Sequence, residues 1–225
     1  MKPSIIEDTR YEQQDYCQIR REEEIVFSYL DEIRKLSANP PLLLDIGCGT
    51  GLITKEVAKH GFTAKGIDFS IIAVEKAKSR GVTAEVVDLD DGIPDKDGTY
   101  DVVLAGDIIE HVFDPMSVIK EAGRVIKPGG YFLITIPNDV SVMVRLKTLM
   151  GISYQEVMYR RSGVYKHHTF FTLGLLKYML CCSGFRLIKQ TRITNIGRLA
   201  QISSPFIPLL FTNELVVVAQ RAKSV

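Results

Sequence analysis

Three side chains near the middle of the chain could act on a substrate. In Gly106-Asp107-Ile108-Ile109-Glu110-His111-Val112 the spacing i, i+3, i+4 puts Asp107, Glu110 and His111 on one face if the segment makes a single helical turn. Two carboxylates and an imidazole so grouped can ligate a divalent ion, and carboxylate oxygens suit magnesium or manganese. His111 could instead take a proton from a hydroxyl, or pack beside a bound cofactor while the acids cap a helix. All three uses stay open at this point. His167-His168 is a second imidazole pair. Adjacent side chains point apart, so no shared ion is expected of the pair, although one ring could face a substrate.

A different chemistry lies in Asp45-Ile46-Gly47-Cys48-Gly49-Thr50-Gly51, where an apolar run leads into a glycine-rich turn. Glycines let the backbone turn sharply and let a ligand come close. A dinucleotide fingerprint would need its third glycine at position 52, which is Leu52. Asp45 would repel a phosphate but could hold a cationic amino group. S-adenosylmethionine carries an ammonium and a sulfonium and no phosphate. Asp68, in Gly66-Ile67-Asp68-Phe69, could accept hydrogen bonds from both hydroxyls of a ribose. Asp88 and Leu89 could meet an adenine, or Asp88 could simply cap a turn.

These residues fall at the junctions of a regular alternation. The pattern predicts a helix up to Asn39-Pro40-Pro41, then strands at Leu42–Ile46, Thr63–Asp68, Thr83–Asp88, Tyr100–Ala105 and Tyr131–Ile136. Helices are expected at Leu52–His60, from Ser70 to Arg80, and at Met116–Ile126, with glycines or a proline at their ends. Strands alternating with helices imply parallel βαβ units, hence an α/β doubly wound sheet. Residues 138–168 are less regular. Thr172–Cys182 reads as a helix, and Phe185–Thr194 and Glu214–Ala219 as two further strands of the same sheet.

In Leu43–Gly51, Gly66–Ser70, Asp88, Tyr100–Pro115 and Arg124–Pro137 the chain resembles the class I S-adenosylmethionine-dependent methyltransferases. The stretch Arg124–Gly130 is similar to their turn from helix into strand five. His168–Thr172 followed by Gly184-Phe185 resembles the quinone and small-molecule O-methyltransferase group. The resemblance implies a Rossmann-like, seven-stranded, mostly parallel sheet whose last strand is antiparallel. It places the cofactor at the carboxyl ends of strands one, two and four. Asp45, Gly47, Cys48, Gly49 and Gly51 would surround its methionine part, Asp68 its ribose, and Phe69, Asp88 and Leu89 its adenine. Gly106 would give backbone access near the sulfonium. The segment after strand four resembles the metal-binding E-x-x-E-H of quinone-biosynthesis O-methyltransferases, with Asp107 in place of the first Glu. A magnesium ion on Asp107, Glu110 and His111 is the corresponding expectation, with His111 as the catalytic residue.

One domain is expected over residues 1–225. It comprises an N-terminal helical segment (1–40), a cofactor core (41–137), a substrate-cover insertion (138–168) and a C-terminal part of the sheet (169–225). The expected activity is methyl transfer to a small-molecule hydroxyl. A non-catalytic cofactor-binding partner subunit and an NAD-dependent dehydrogenase are the rivals. A 46% hydrophobic and 24% charged composition excludes a disordered chain, a collagen-like fibre and a coiled coil. No apolar run approaches the ~20 residues of a membrane span. Met1–Arg10 has no apolar core, so no secretory signal is read there. Four cysteines without a CxxC pair suit a reducing cytoplasm.

Charge is split: residues 1–137 carry 16 basic and 24 acidic side chains, and residues 138–225 carry 12 and 3. Arg145, Lys147, Arg160, Arg161 and Lys166 would suit an anionic acceptor or surface. The apolar Leu199–Phe211 could be core, a homodimer contact or a lipid-facing loop. Asn39-Pro40-Pro41-Leu42 lacks the aromatic residue and the position of an amino-methylation motif, and no nucleic-acid partner is expected.

Overall fold

A computed structural model describes residues 19–153, 156, 167–196, 200–204 and 212–223. Helix α1 (Arg21–Arg34) is followed by β1 (Leu42–Ile46), α2 (Leu52–Lys59), β2 (Thr63–Asp68), α3 (Ile71–Ser79) and β3 (Thr83–Val86). Next come β4 (Tyr100–Gly106), α4 (Pro115–Val125), β5 (Ile126–Pro137), α5 (Val142–Leu149), α6 (Leu173–Cys182), β6 (Phe185–Ile196), β7 (Ala200–Ser204) and β8 (Glu214–Arg221). All join one sheet in the order β3-β2-β1-β4-β5-β8-β6-β7. β1 to β5 are parallel, and β8 runs antiparallel between β5 and β6. This is the doubly wound sheet with an antiparallel last strand. One strand is additional: β7 pairs antiparallel with β6 and extends the edge.

The unbroken apolar runs have a simple cause. Successive side chains of a strand point to opposite faces, and here both faces are covered. Leu43, Val102, Leu104, Leu133, Val216 and Val218 pack with Val26, Phe27, Leu30 and Ile33 of α1. Leu44, Ile46, Val103, Ala105, Ile134 and Val217 pack on the other side with Val118, Ile119 and Ala122 of α4 and Leu173, Leu176 and Leu180 of α6. Caps fix the helix starts: the side chains of Ser70, Asp114 and Thr172 accept from the backbone N–H of Ala73, Ser117 and Leu175.

Three local readings change. The expected turn at Lys127–Gly130 is a bulge inside β5, whose register jumps from Tyr100↔Ile126 to Val102↔Tyr131. β3 ends at Val86 rather than Asp88, because Asp88 caps a short 3-10 turn over Leu89–Asp91. The insertion holds a regular helix, α5. Most of Leu199–Phe211, and with it the expected dimer contact, lies outside the described residues, as do Arg160, Arg161 and Lys166. Among the described residues no helix is long and apolar enough to cross a membrane.

Candidate active site

The loops after β1, β2 and β4 meet at the carboxyl end of the sheet, where open α/β sheets bind ligands. Gly47 and Gly51 both adopt left-handed φ, at +74° and +75°. A Cβ on Gly47 would lie 2.5 Å from Cγ1 of Ile108, and one on Gly51 2.8 Å from Cβ of Ala77. The first contact presses the glycine loop against the β4 loop, and the second seats α2 on α3. Asp68 ties the loop to β2: its Oδ2 accepts from the Gly49 N–H at 2.8 Å and its Oδ1 from the Ser70 N–H at 2.9 Å. Half-buried Phe69 lies between them in sequence.

Asp45 is buried beneath the loop and accepts from Thr54 Oγ1 at 2.6 Å. Burial pushes its carboxyl up to about 7, against the pull of the Thr54 hydrogen bond. The structure thus shows Asp45 as a brace under the glycines. Cys48 is buried, and burial raises its thiol. Asp88 is exposed and its Oδ1 accepts from the Asp90 N–H, while Leu89 beside it is buried.

The β4 loop departs from expectation. Asp107, Glu110 and His111 do not share one helical turn. Only Ile109–His111 is helical, as a 3-10 turn, and Asp107 precedes it with φ of +49°, the only positive φ of a non-glycine among the described residues. Asp can adopt this region because its short polar side chain bonds locally. Here Asp107 donates its N–H to Thr135 O and Oγ1, and the Thr135 hydroxyl donates back to Asp107 Oδ1 at 2.8 Å. Arg20 donates to Asp107 Oδ2 at 2.8 Å and also pairs with Glu22 and Glu23. Burial works against the Arg20 charge, but Asp107, Glu23 and Glu22 outweigh it and raise its pKa. Both carboxylate oxygens of Asp107 are therefore engaged away from His111. The expected three-ligand set is corrected accordingly.

In its place the chain brings His167 to Glu110 and His111, with one ligand atom of each within 4.8 Å of the others. Segment 167–169 is pinned by its backbone: the His168 and Thr169 N–H groups donate to Glu110 O at 2.8 and 3.3 Å. The His111 and His167 rings meet edge-on, with centroids 5.0 Å apart. Asp139, just past β5, accepts from the Phe171 N–H through Oδ2, while its Oδ1 lies 3.5 Å from His167 Nδ1. Glu110 is 1% exposed and its Oε2 has no hydrogen-bond partner. Burial, then the charges of Asp107, Asp139 and Glu214, raise its carboxyl well above the usual range. Burial likewise raises Glu214 to about 8, with Asp107 and Glu22 adding to the effect. The rim carries Phe113, 69% exposed, against the His168 ring at 4.6 Å.

Residues 18–190 match the family model described as a methyltransferase domain. The chain belongs to that family. A relative from Vibrio parahaemolyticus, named ubiquinone biosynthesis O-methyltransferase, is 30% identical over 164 residues, 69% of this chain and 64% of the relative. The chain thus spans just under two thirds of the length of that relative. A Thermotoga maritima structure named as an S-adenosylmethionine-dependent methyltransferase, possible histamine N-methyltransferase, aligns with a TM-score of 0.67 and 21% identity over 96% of each chain. The cyclase SpnF aligns with a TM-score of 0.62 and 18% identity, over 88% of this chain and 81% of its own. A methyltransferase fold in this family thus carries more than one chemistry, so activity must be argued from the site.

Four residues of this methyltransferase-domain chain escape a reading of sequence spacing. Arg20 is 87 positions from Asp107, and no local pattern marks the contact. His167 and Glu214 also reach the site only through the fold. Asp139 carried a usable signal: it lies just beyond the carboxyl end of a parallel strand, where functional groups of such sheets collect.

Proposed function

We propose that the chain transfers a methyl group from S-adenosylmethionine to a hydroxyl oxygen of a small molecule. The observation that carries this reading is the convergence of the glycine loop, Asp68 and the Glu110–His111 turn at one end of the sheet. Adenosylmethionine supplies an electrophilic methyl on its sulfonium. Gly47, Cys48, Gly49 and Gly51 shape the bed for the methionine part, with Asp45 bracing it from below. Asp68 accepts from the ribose hydroxyls, Phe69, Asp88 and Leu89 flank the adenine, and Gly106 leaves room near the sulfonium. His111, partly exposed above buried Glu110, takes the hydroxyl proton as the oxygen attacks. The main contribution of the protein is to hold the two reactants in line.

Magnesium suits this site poorly, because Asp107 is committed to Thr135 and Arg20 and one carboxylate alone remains. The acceptor reads as partly apolar or anionic: α5 carries Arg145 and Lys147 beside exposed Leu146 and Leu149. Free Cys48, Cys181 and Cys182 agree with a reducing cytoplasm.

Calorimetry tests the cofactor. Adenosylhomocysteine is expected to bind and to raise the melting temperature, and NAD is not. Tighter NAD binding would remove the reading in favour of a dehydrogenase. Cofactor binding without methyl transfer to any metabolite of a small-molecule extract would favour a partner subunit. Asp88→Ala should cost about 0.5–1.5 kcal/mol of stability through its turn bond. It should also weaken adenosylhomocysteine severalfold; unchanged affinity assigns Asp88 to the turn alone.

A further inference from the structure

We propose that Glu110, His111 and His167 form a site for a borderline divalent ion of the zinc, cobalt or manganese kind, oriented by Asp139 and excluding Asp107. The donor set is the first argument. Two imidazoles and one carboxylate, each offering an atom within 4.8 Å of the others, suit ions that accept nitrogen ligands. Magnesium instead demands near-octahedral oxygen and keeps its waters. The expected Glu or Asp at position 107 points elsewhere, held by Thr135 and Arg20.

The second argument is burial without partners. Glu110 Oε2 sits in the interior with no hydrogen bond, an arrangement that costs free energy unless something offsets it. A cation offsets it directly. The third is the shell behind the ligands. Ligating histidines usually donate their other ring N–H to a carboxylate, which fixes the tautomer. Asp139 Oδ1 lies on the Nδ1 side of His167 at 3.5 Å, and its other oxygen is pinned by the Phe171 N–H. That leaves His167 Nε2 to carry the lone pair. Asp139 Oδ1 has no hydrogen-bond partner either, so a small turn of the His167 ring onto an ion would satisfy both groups.

Three protein ligands leave at least one position open. On the proposed methyl-transfer reading, the acceptor oxygen takes that position, and its proton leaves more easily for being metal-bound. This use rests on that reading; the site itself does not.

The test uses cobalt(II) alone on the full chain after chelation, followed by its visible absorption and by calorimetry. One equivalent should bind, be displaced by zinc, and persist in a large excess of magnesium. Glu110→Gln and His167→Ala should each weaken cobalt at least a hundredfold, and Asp139→Asn roughly ten- to a hundredfold. Asp107→Asn and His168→Ala should leave it within threefold. Thermal unfolding and adenosylhomocysteine binding of each variant confirm that the fold and cofactor site survive, so failure here is distinct from failure of the methyl-transfer reading. No cobalt binding at millimolar concentration, full binding by His167→Ala, or loss on Asp107→Asn would overturn the proposal. The last result would restore the ligand set expected from the sequence.

Discussion

Asp68→Ala should weaken adenosylhomocysteine by roughly ten- to a hundredfold, the equivalent of about 1.5–3 kcal/mol for hydrogen bonds to a charged acceptor. The effect has two sources that calorimetry and thermal unfolding separate. Asp68 already accepts from the Gly49 and Ser70 N–H groups, so its loss loosens the glycine loop in the unliganded protein and lowers the melting temperature. The ribose hydroxyls would use the remaining lone pairs, and their loss registers as affinity. Asp68→Asn keeps one acceptor oxygen and should fall between. An alanine variant that binds adenosylhomocysteine as tightly as the parent would take Asp68 out of the cofactor site.

The second large effect is a fall in stability as pH rises from about 4.5 to about 8.5. Asp45 and Glu214 are raised to about 7 and about 8, and burial also raises Glu110 and Glu22. A carboxyl whose folded pKa exceeds its unfolded one holds its proton more tightly in the folded state. Its stabilising contribution is complete below the unfolded value near 4 and is lost as pH rises through the folded value. One pKa unit corresponds to about 1.4 kcal/mol, so buried Asp45 alone costs on the order of a few kcal/mol at the alkaline end. Glu121, lowered by its hydrogen bond to Arg124, has the opposite sign, and its contribution is lost only as pH falls below the usual carboxylate range. Melting in EDTA at pH 5, 6.5 and 8.5 should therefore give a descending series, flattened in Glu214→Gln. A series that ascends over this range would contradict the burial of these acids.

Much of the fold was legible because its signals are local. β1 and β2 match their expected limits, since apolar runs bounded by Pro41, Gly47, Gly61 and the acid at position 68 leave little freedom. Helix ends followed Ser70, Pro115 and Thr172 for the same reason. β7 was not legible: five residues, Ala200–Ser204, form a strand because β6 offers an edge to pair with, and such pairing leaves no period in so short a run. The cofactor half of the site lies within one βαβα stretch, so spacing captured it. The reacting half is assembled from four separate segments. Asp107 shows the limit of spacing: i, i+3, i+4 predicts a shared face only where a helix exists, and the clamp by Thr135 replaces the helix with one left-handed residue.

The place of β8 has a consequence for how the chain is made. Glu214–Arg221 inserts between β5 and β6, which cannot pair with each other until it arrives. On a ribosome adding roughly 5–20 residues each second, the stretch from the end of β6 to the end of β8 takes on the order of one to five seconds. Through that interval β5 and β6 both present open edges, the kind of surface that recruits other nascent chains. Biogenesis of this protein therefore passes through a late, sticky stage set by strand order alone, and ribosomes stalled between β6 and β8 should release chains that aggregate rather than fold.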